Sequence, residues 1–182
     1  MKTDDTNLIK GCMKGDRQAQ NQLYQKYKAV LFGICLRYAN SREEAEDMLQ
    51  EGFIKIFSDL YQYRPTGPLG AWMRKVVINV ALQHIRKNKK FRIFENREQI
   101  VARYDPDFKI FKNNREEAIL KIVQQLPDGY RIIFNLYVIE EFTHKEIAEK
   151  LGISVSTSKS QYSRARAALR SMLEKNIKTE EF

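Results

Sequence analysis

From Val155 to Met172 the sequence carries Lys159, Arg164, Arg166 and Arg170 among the short hydroxyls Ser160 and Ser163, with no carboxylate between them. Such a mixture makes and breaks no bonds, because a serine without a neighbouring base is a poor nucleophile. It suits recognition of a polyanion: cations neutralise phosphates and read guanine edges, while hydroxyls bond to base or phosphate. A second run, Arg86, Lys87, Lys89, Lys90 and Arg92, is also free of acids and follows Lys75, Asn79 and Gln83. The amides of Asn79 and Gln83 offer paired donors and acceptors to a base edge. A third set differs in character. Asp47, Gln50, Glu51 and Ile54 recur at steps of three and four, the spacing of one helix face. An Ile among polar groups on such a face marks a docking surface for another protein.

Other chemistries find no residues to support them. Cys12 and Cys35 form no CxxC pair, and His84 and His144 are the only histidines, so zinc lacks ligands at useful spacing. Two isolated cysteines fit a reducing compartment. Glu43, Glu44 and Glu46 suit the positive end of a helix better than a metal. No phosphate loop and no nucleophile–base pair occurs, so no catalytic residue, metal or cofactor is expected. Lys and Arg number 32 against 23 acids, a formal charge of +9, which favours an anionic partner such as nucleic acid or acidic lipid. The N-terminal residues carry no apolar run of the signal-peptide kind, and no later stretch is long enough to span a bilayer. A cytoplasmic protein without membrane insertion is the expectation.

The elements that must position these groups are helices. Pro65, Pro68, Pro106 and Pro127 separate long stretches of helical periodicity, with almost no strand-like alternation. The spacing predicts an all-α chain of two small helical domains: 1–95, a polar linker at 96–115, and 116–178. Ser41 precedes an acidic first turn and caps a helix whose inward stripe is Ala45, Met48, Leu49, Phe53, Ile56, Phe57 and Leu60. Trp72, Met73, Val76, Val77, Val80, Ala81 and Ile85 form the stripe of the next helix, which makes Trp72 a core residue rather than a stacking platform. Leu126 to Gly129 reads as a turn.

Thr143 to Ser154 is a helix-turn-helix signature. Thr143 and Glu146 form a capping box, Ala148 is small where two helices cross, Gly152 supplies a left-handed turn, and Ile153 plugs the angle. The helix that follows should turn Val155, Ser158, Tyr162, Ala165 and Leu169 inward. Lys159, Ser160, Ser163, Arg164, Arg166 and Arg170 then face a major groove.

In this order the motifs resemble those of bacterial sigma-70 RNA polymerase sigma factors, of the extracytoplasmic-function type that keeps only sigma regions 2 and 4. Asp47-Met-Leu-Gln-Glu-Gly-Phe-Ile-Lys55 resembles the family's polymerase-binding motif. Trp72, Asn79 and the basic run resemble the part that melts and reads the −10 element. Leu126-Pro-Asp-Gly-Tyr-Arg131 through Arg166 resembles the −35-reading domain, and Leu8-Ile9, Gly15-Asp16 and Leu23-Tyr24 match the opening helices.

The resemblance implies a non-enzymatic factor that binds core RNA polymerase and directs promoter-specific initiation, with −10 strand opening. Asp47, Gln50, Glu51, Phe53 and Ile54 would meet the clamp helices of the largest subunit. Lys75, Asn79, Gln83, Arg86 and Lys87 would serve the −10 element of promoter DNA, and Lys159, Ser160, Ser163, Arg164 and Arg166 the −35 element. An anti-sigma factor is an implied partner. The chain departs from the pattern at Gln83, where many members carry an acid, and at Ser158, where many carry Val. A stand-alone dimeric regulator with the same helix-turn-helix would leave Asp47 to Lys55 unexplained, and an anti-sigma-like adaptor would not need two basic surfaces.

Overall fold

The computed structural model describes residues 3–87 and 121–180. Among these residues every regular element is helical, and the chain forms two compact units, Met1–His84 and Ile85–Phe182. The expected linker at 96–115 and the cations Lys89, Lys90 and Arg92 lie outside the described residues.

The first unit is built from α1 (Thr3–Met13), α2 (Arg17–Tyr38), α3 (Arg42–Asp59) and α4 (Leu69–Lys87). Asp16 starts α2, its carboxylate accepting from the backbone N–H of Gln18 at 2.8 Å. Ser41 starts α3 as the sequence predicts, accepting from Glu44 N–H at 3.2 Å. The Glu44 carboxylate in turn accepts from Asn40 N–H at 2.6 Å, so the turn between α2 and α3 is held from both sides. A 3₁₀ turn (Leu60–Gln62) closes α3.

Leu23, Leu31, Cys35, Tyr38, Met48, Ile56, Leu60, Met73 and Val77 are buried and form the core of this unit. Removing an aliphatic side chain of this size from water stabilises by roughly 1.5–3 kcal/mol. Burial pushes the Cys35 thiol up to about 12, and Cys12 is raised by burial and by the nearby Asp16 carboxylate.

Gly52 explains how α4 can lie close to α3. It is buried in the middle of α3, and a Cβ there would come 3.0 Å from Val77 Cγ2 of α4. A mid-helix glycine costs about 0.5–1 kcal/mol relative to alanine, so its position here is offset by the close approach it permits. His84 Nε2 of α4 lies 3.5 Å from the Glu44 carboxylate of α3 and adds a polar tie. Burial on α4 is wider than the predicted stripe, because Ile78 and Leu82 are buried too.

Beyond the last residues of α4, which belong to it, the second unit is helical over 121–124. It continues with α5 (Asp128–Phe134), one π turn (Asn135–Ile139), α6 (His144–Leu151) and α7 (Val155–Glu180). Asp128 and Gly129 begin α5 instead of lying in the preceding turn. Pro127 occupies the N-cap with extended backbone, and an acid in the first turn favours the helix dipole. Both α5 and α6 pack on α7 around Ile132, Ile133, Leu136, Ile147, Leu151 and Ala165. Among the described residues no helix is long and apolar enough to cross a membrane.

Candidate functional site

The outer face of α3 is built by default from its inner one. With Ala45, Met48, Leu49, Phe53 and Ile56 buried, Asp47, Gln50, Glu51 and Ile54 are left exposed on the opposite side. Ile54 is 70% exposed, an unusual position for a β-branched aliphatic residue with a core one turn away. Ion pairs Arg42–Glu46 at 2.9 Å and Lys55–Asp59 at 3.0 Å lie toward the two ends of the helix. Phe53 belongs to a different environment from its four companions. It is 4% exposed and meets the Tyr24 ring at 4.7 Å and the Phe57 ring at 5.9 Å. Its ring supports the face from beneath.

On α4, Lys75, Asn79, Gln83 and Arg86 recur at steps of four, four and three and are all exposed, with Lys87 beside them. Two amides therefore sit in line between two cations on one helix. Trp72, expected in the core, is half-buried at its margin and meets the Tyr63 ring at 5.8 Å.

The helix-turn-helix is fixed by three local devices. The capping box is complete: Thr143 Oγ1 accepts from Glu146 N–H at 3.3 Å, and Thr143 N–H donates to Glu146 Oε2 at 2.8 Å. That backbone N–H, with the Thr143 hydroxyl, holds the Glu146 carboxyl below its usual range. Gly152 adopts φ 66° and ψ 34°, the left-handed conformation that ends α6 and lets the chain turn tightly. Ser154 then opens α7, accepting from Thr157 N–H at 2.9 Å.

These devices leave Lys159, Ser160, Ser163, Arg164, Arg166 and Arg170 exposed along α7. Arg166 lies 5.9 Å from the centre of the Tyr162 ring. Val155 differs from its predicted inward position and is 39% exposed. It is the first residue of the helix, ahead of the turn where packing on α6 begins. Gln161, not predicted inward, is buried.

Behind the exposed face lies a cluster whose contacts periodicity did not reveal. His144 Nδ1 and Ser158 Oγ share a hydrogen bond of 2.9 Å across the turn. The His144 ring stacks on Tyr137 at 4.3 Å and 12°, and Tyr137 meets Tyr162 at 4.5 Å. The π turn brings Tyr137 to this position. Among the described residues no group of His, Cys, Asp or Glu is placed to hold a metal ion.

Two family models match the chain. Sigma-70 region 2 covers residues 23–91, and Sigma-70, region 4 covers residues 116–169. The ECF RNA polymerase sigma factor SigW of Bacillus subtilis is 30% identical over 176 residues, 91% of this chain and 94% of that protein. The chain belongs to the extracytoplasmic-function group of sigma-70 RNA polymerase sigma factors. RNA polymerase sigma-H factor of Pseudomonas aeruginosa is 26% identical over 176 residues, 91% of each chain. Among solved structures, that of CnrH in complex with the cytosolic domain of CnrY is 20% identical, covers 92% of this chain and 95% of that one, and has a TM-score of 0.47. This sigma factor therefore acts in transcription initiation by binding, without catalysing a reaction. Its α3 and α4 faces fall within the region 2 match, and α5 to Leu169 of α7 fall within the region 4 match.

Proposed function

We propose that this sigma factor docks on core RNA polymerase through Asp47, Gln50, Glu51 and Ile54, and directs it to promoters with separate −10 and −35 elements. The observation that carries the reading is the 70% exposure of Ile54 among acids and an amide on a helix whose other apolar residues are buried or half-buried. An apolar anchor ringed by polar groups is the composition of a protein-binding face. The clamp helices of the largest polymerase subunit are its partner on family resemblance, with Phe53 supporting the face from within.

Lys75, Asn79, Gln83, Arg86 and Lys87 would then follow the −10 element. Amides read base edges, and cations hold the phosphates of a strand whose unpaired base is captured. Lys159, Ser160, Ser163, Arg164 and Arg166 would enter the major groove of the −35 element. The domains are proposed as 1–95 and 116–178, joined at 96–115. Binding should weaken steeply with salt, because each phosphate contact releases counterions. An anti-sigma factor covering the α3 face would hold the protein off polymerase, and all these partners place its work in the cytoplasm.

The test is co-elution of the purified chain with sigma-free core RNA polymerase, beside an Asp47→Ala/Gln50→Ala variant. Co-elution of the wild type that is lost in the variant supports the reading. A wild-type chain that ignores core polymerase yet binds duplex DNA overturns it in favour of a stand-alone regulator.

A further inference from the structure

Ser158 is fully buried at the start of α7, directly before Lys159 and Ser160 on the exposed face. A buried hydroxyl without a partner is destabilising, and an apolar residue of the same shape carries no such cost. The hydroxyl meets His144 Nδ1 at 2.9 Å, fourteen residues away and on the other helix of the motif. The backbone of His144 is held by the capping box immediately before it, and its ring lies on Tyr137 of the π turn. Tyr162, one turn beyond Ser158 on α7, closes the cluster at 5.8 Å from the His144 ring. One imidazole thus touches the π turn and α7 while belonging to α6.

The bond is directional, which apolar packing is not. A helix can roll on an apolar contact by several degrees at little cost, and a roll of α7 swings Lys159, Ser160 and Ser163 about its axis. A hydrogen bond weakens steeply once its angle departs from the preferred range. We infer that His144 and Ser158 form a positioning pair that fixes the rotation of α7, and with it the aim of Lys159, Ser160 and Ser163 at bases. The inference rests on the proposed reading of DNA by α7.

With the hydrogen of the neutral ring on Nε2, Nδ1 accepts the Ser158 hydroxyl proton; with it on Nδ1, the ring donates to Ser158 Oγ. Protonation makes Nδ1 a donor, so that the hydroxyl must turn its hydrogen elsewhere. Protonation also places a second cation near Lys159; Tyr137 and Tyr162 are the other titratable groups in contact. Burial, and then Lys159, already hold the His144 ring below its usual value, so the neutral ring prevails at neutral pH.

The experiment uses the full chain assembled with core polymerase, a random duplex library to obtain the preferred −35 sequence, and then that sequence against a scrambled one. Ser158→Val and His144→Phe each remove the bond while retaining bulk. Each is expected to lower the ratio of preferred to scrambled affinity by about three- to tenfold, with scrambled binding unchanged. The double variant should lose no more than either single one, because both break the same bond. Ser158→Thr, which keeps a hydroxyl beside His144, should retain the wild-type ratio. Single variants as selective as wild type, losses that multiply in the double variant, or a Ser158→Thr variant as unselective as Ser158→Val each overturn the inference. A wild type that enriches no sequence overturns the DNA reading itself and this inference with it.

Discussion

The two units hold their functional faces in different ways. In the first, α3 and α4 are set by bulk: Gly52 admits Val77, Phe53 lies against Tyr24, and the exposed residues point outward because the opposite face is buried. In the second, α6 and α7 also pack on apolar residues, and directed groups are added at their turn. These are a capping box, a left-handed glycine, a serine cap and the His144–Ser158 bond. The difference accords with the roles proposed for the two faces. A docking surface tolerates small shifts because its partner is broad and its anchor apolar, whereas reading a base edge requires donors placed within the narrow geometry of a hydrogen bond.

Variants on either side can break that contrast. The largest expected loss comes from Gly52→Leu, which drives a branched side chain into Val77. The first unit should lose about 1–3 kcal/mol in urea unfolding, and an unchanged midpoint would show that the close approach is unimportant. Thr143→Ala should cost about 1 kcal/mol, confined to the second unit and measurable by thermal unfolding followed by hydrogen exchange of α6.

Acidification should have a smaller effect. The folded pKa of His144 is lowered from its ordinary value near 6.5, so the unfolded chain takes up the proton first. Its contribution to stability is complete above about pH 6.5 and is lost as pH falls from there through the folded pKa. The melting temperature of the second unit should decline over that range, and less so in His144→Phe. Ile54→Ala should alter stability least, by under about 0.5 kcal/mol, since the side chain is already in water. Its retention on core polymerase should nevertheless weaken about tenfold; retention equal to wild type would remove Ile54 from the interface.

Periodicity made much of this legible. The stripe of α3, the capping box and the turn at Gly152 all depend on neighbours within a few residues, which the sequence displays directly. What it did not display were contacts between separate elements. Ile78 and Leu82 looked like flanks of the α4 stripe because spacing gives the direction of burial and not its breadth. Gly52 reads as a weak point in a helix until Val77 is brought against it. Ser158 was expected inward and is buried, but its partner lies fourteen residues upstream on another helix, where no local pattern points. Val155 was misplaced because a helix's first residue precedes the turn that packs. The α3 face was visible for the opposite reason: exposure there needs only one helix to define it.

The placement of the two thiols has a practical consequence. Cys12 and Cys35 are both buried in the first unit, and the sequence holds no other cysteine. With its thiol pushed up to about 12, Cys35 is almost wholly protonated at neutral pH and hidden from alkylating reagents while that unit stays closed. The rate at which it is labelled in a native solution therefore counts openings of the first unit alone. The chain carries its own clock for one of its two domains, and addition of core polymerase or of a protein antagonist to the α3 face should slow it without any engineered probe.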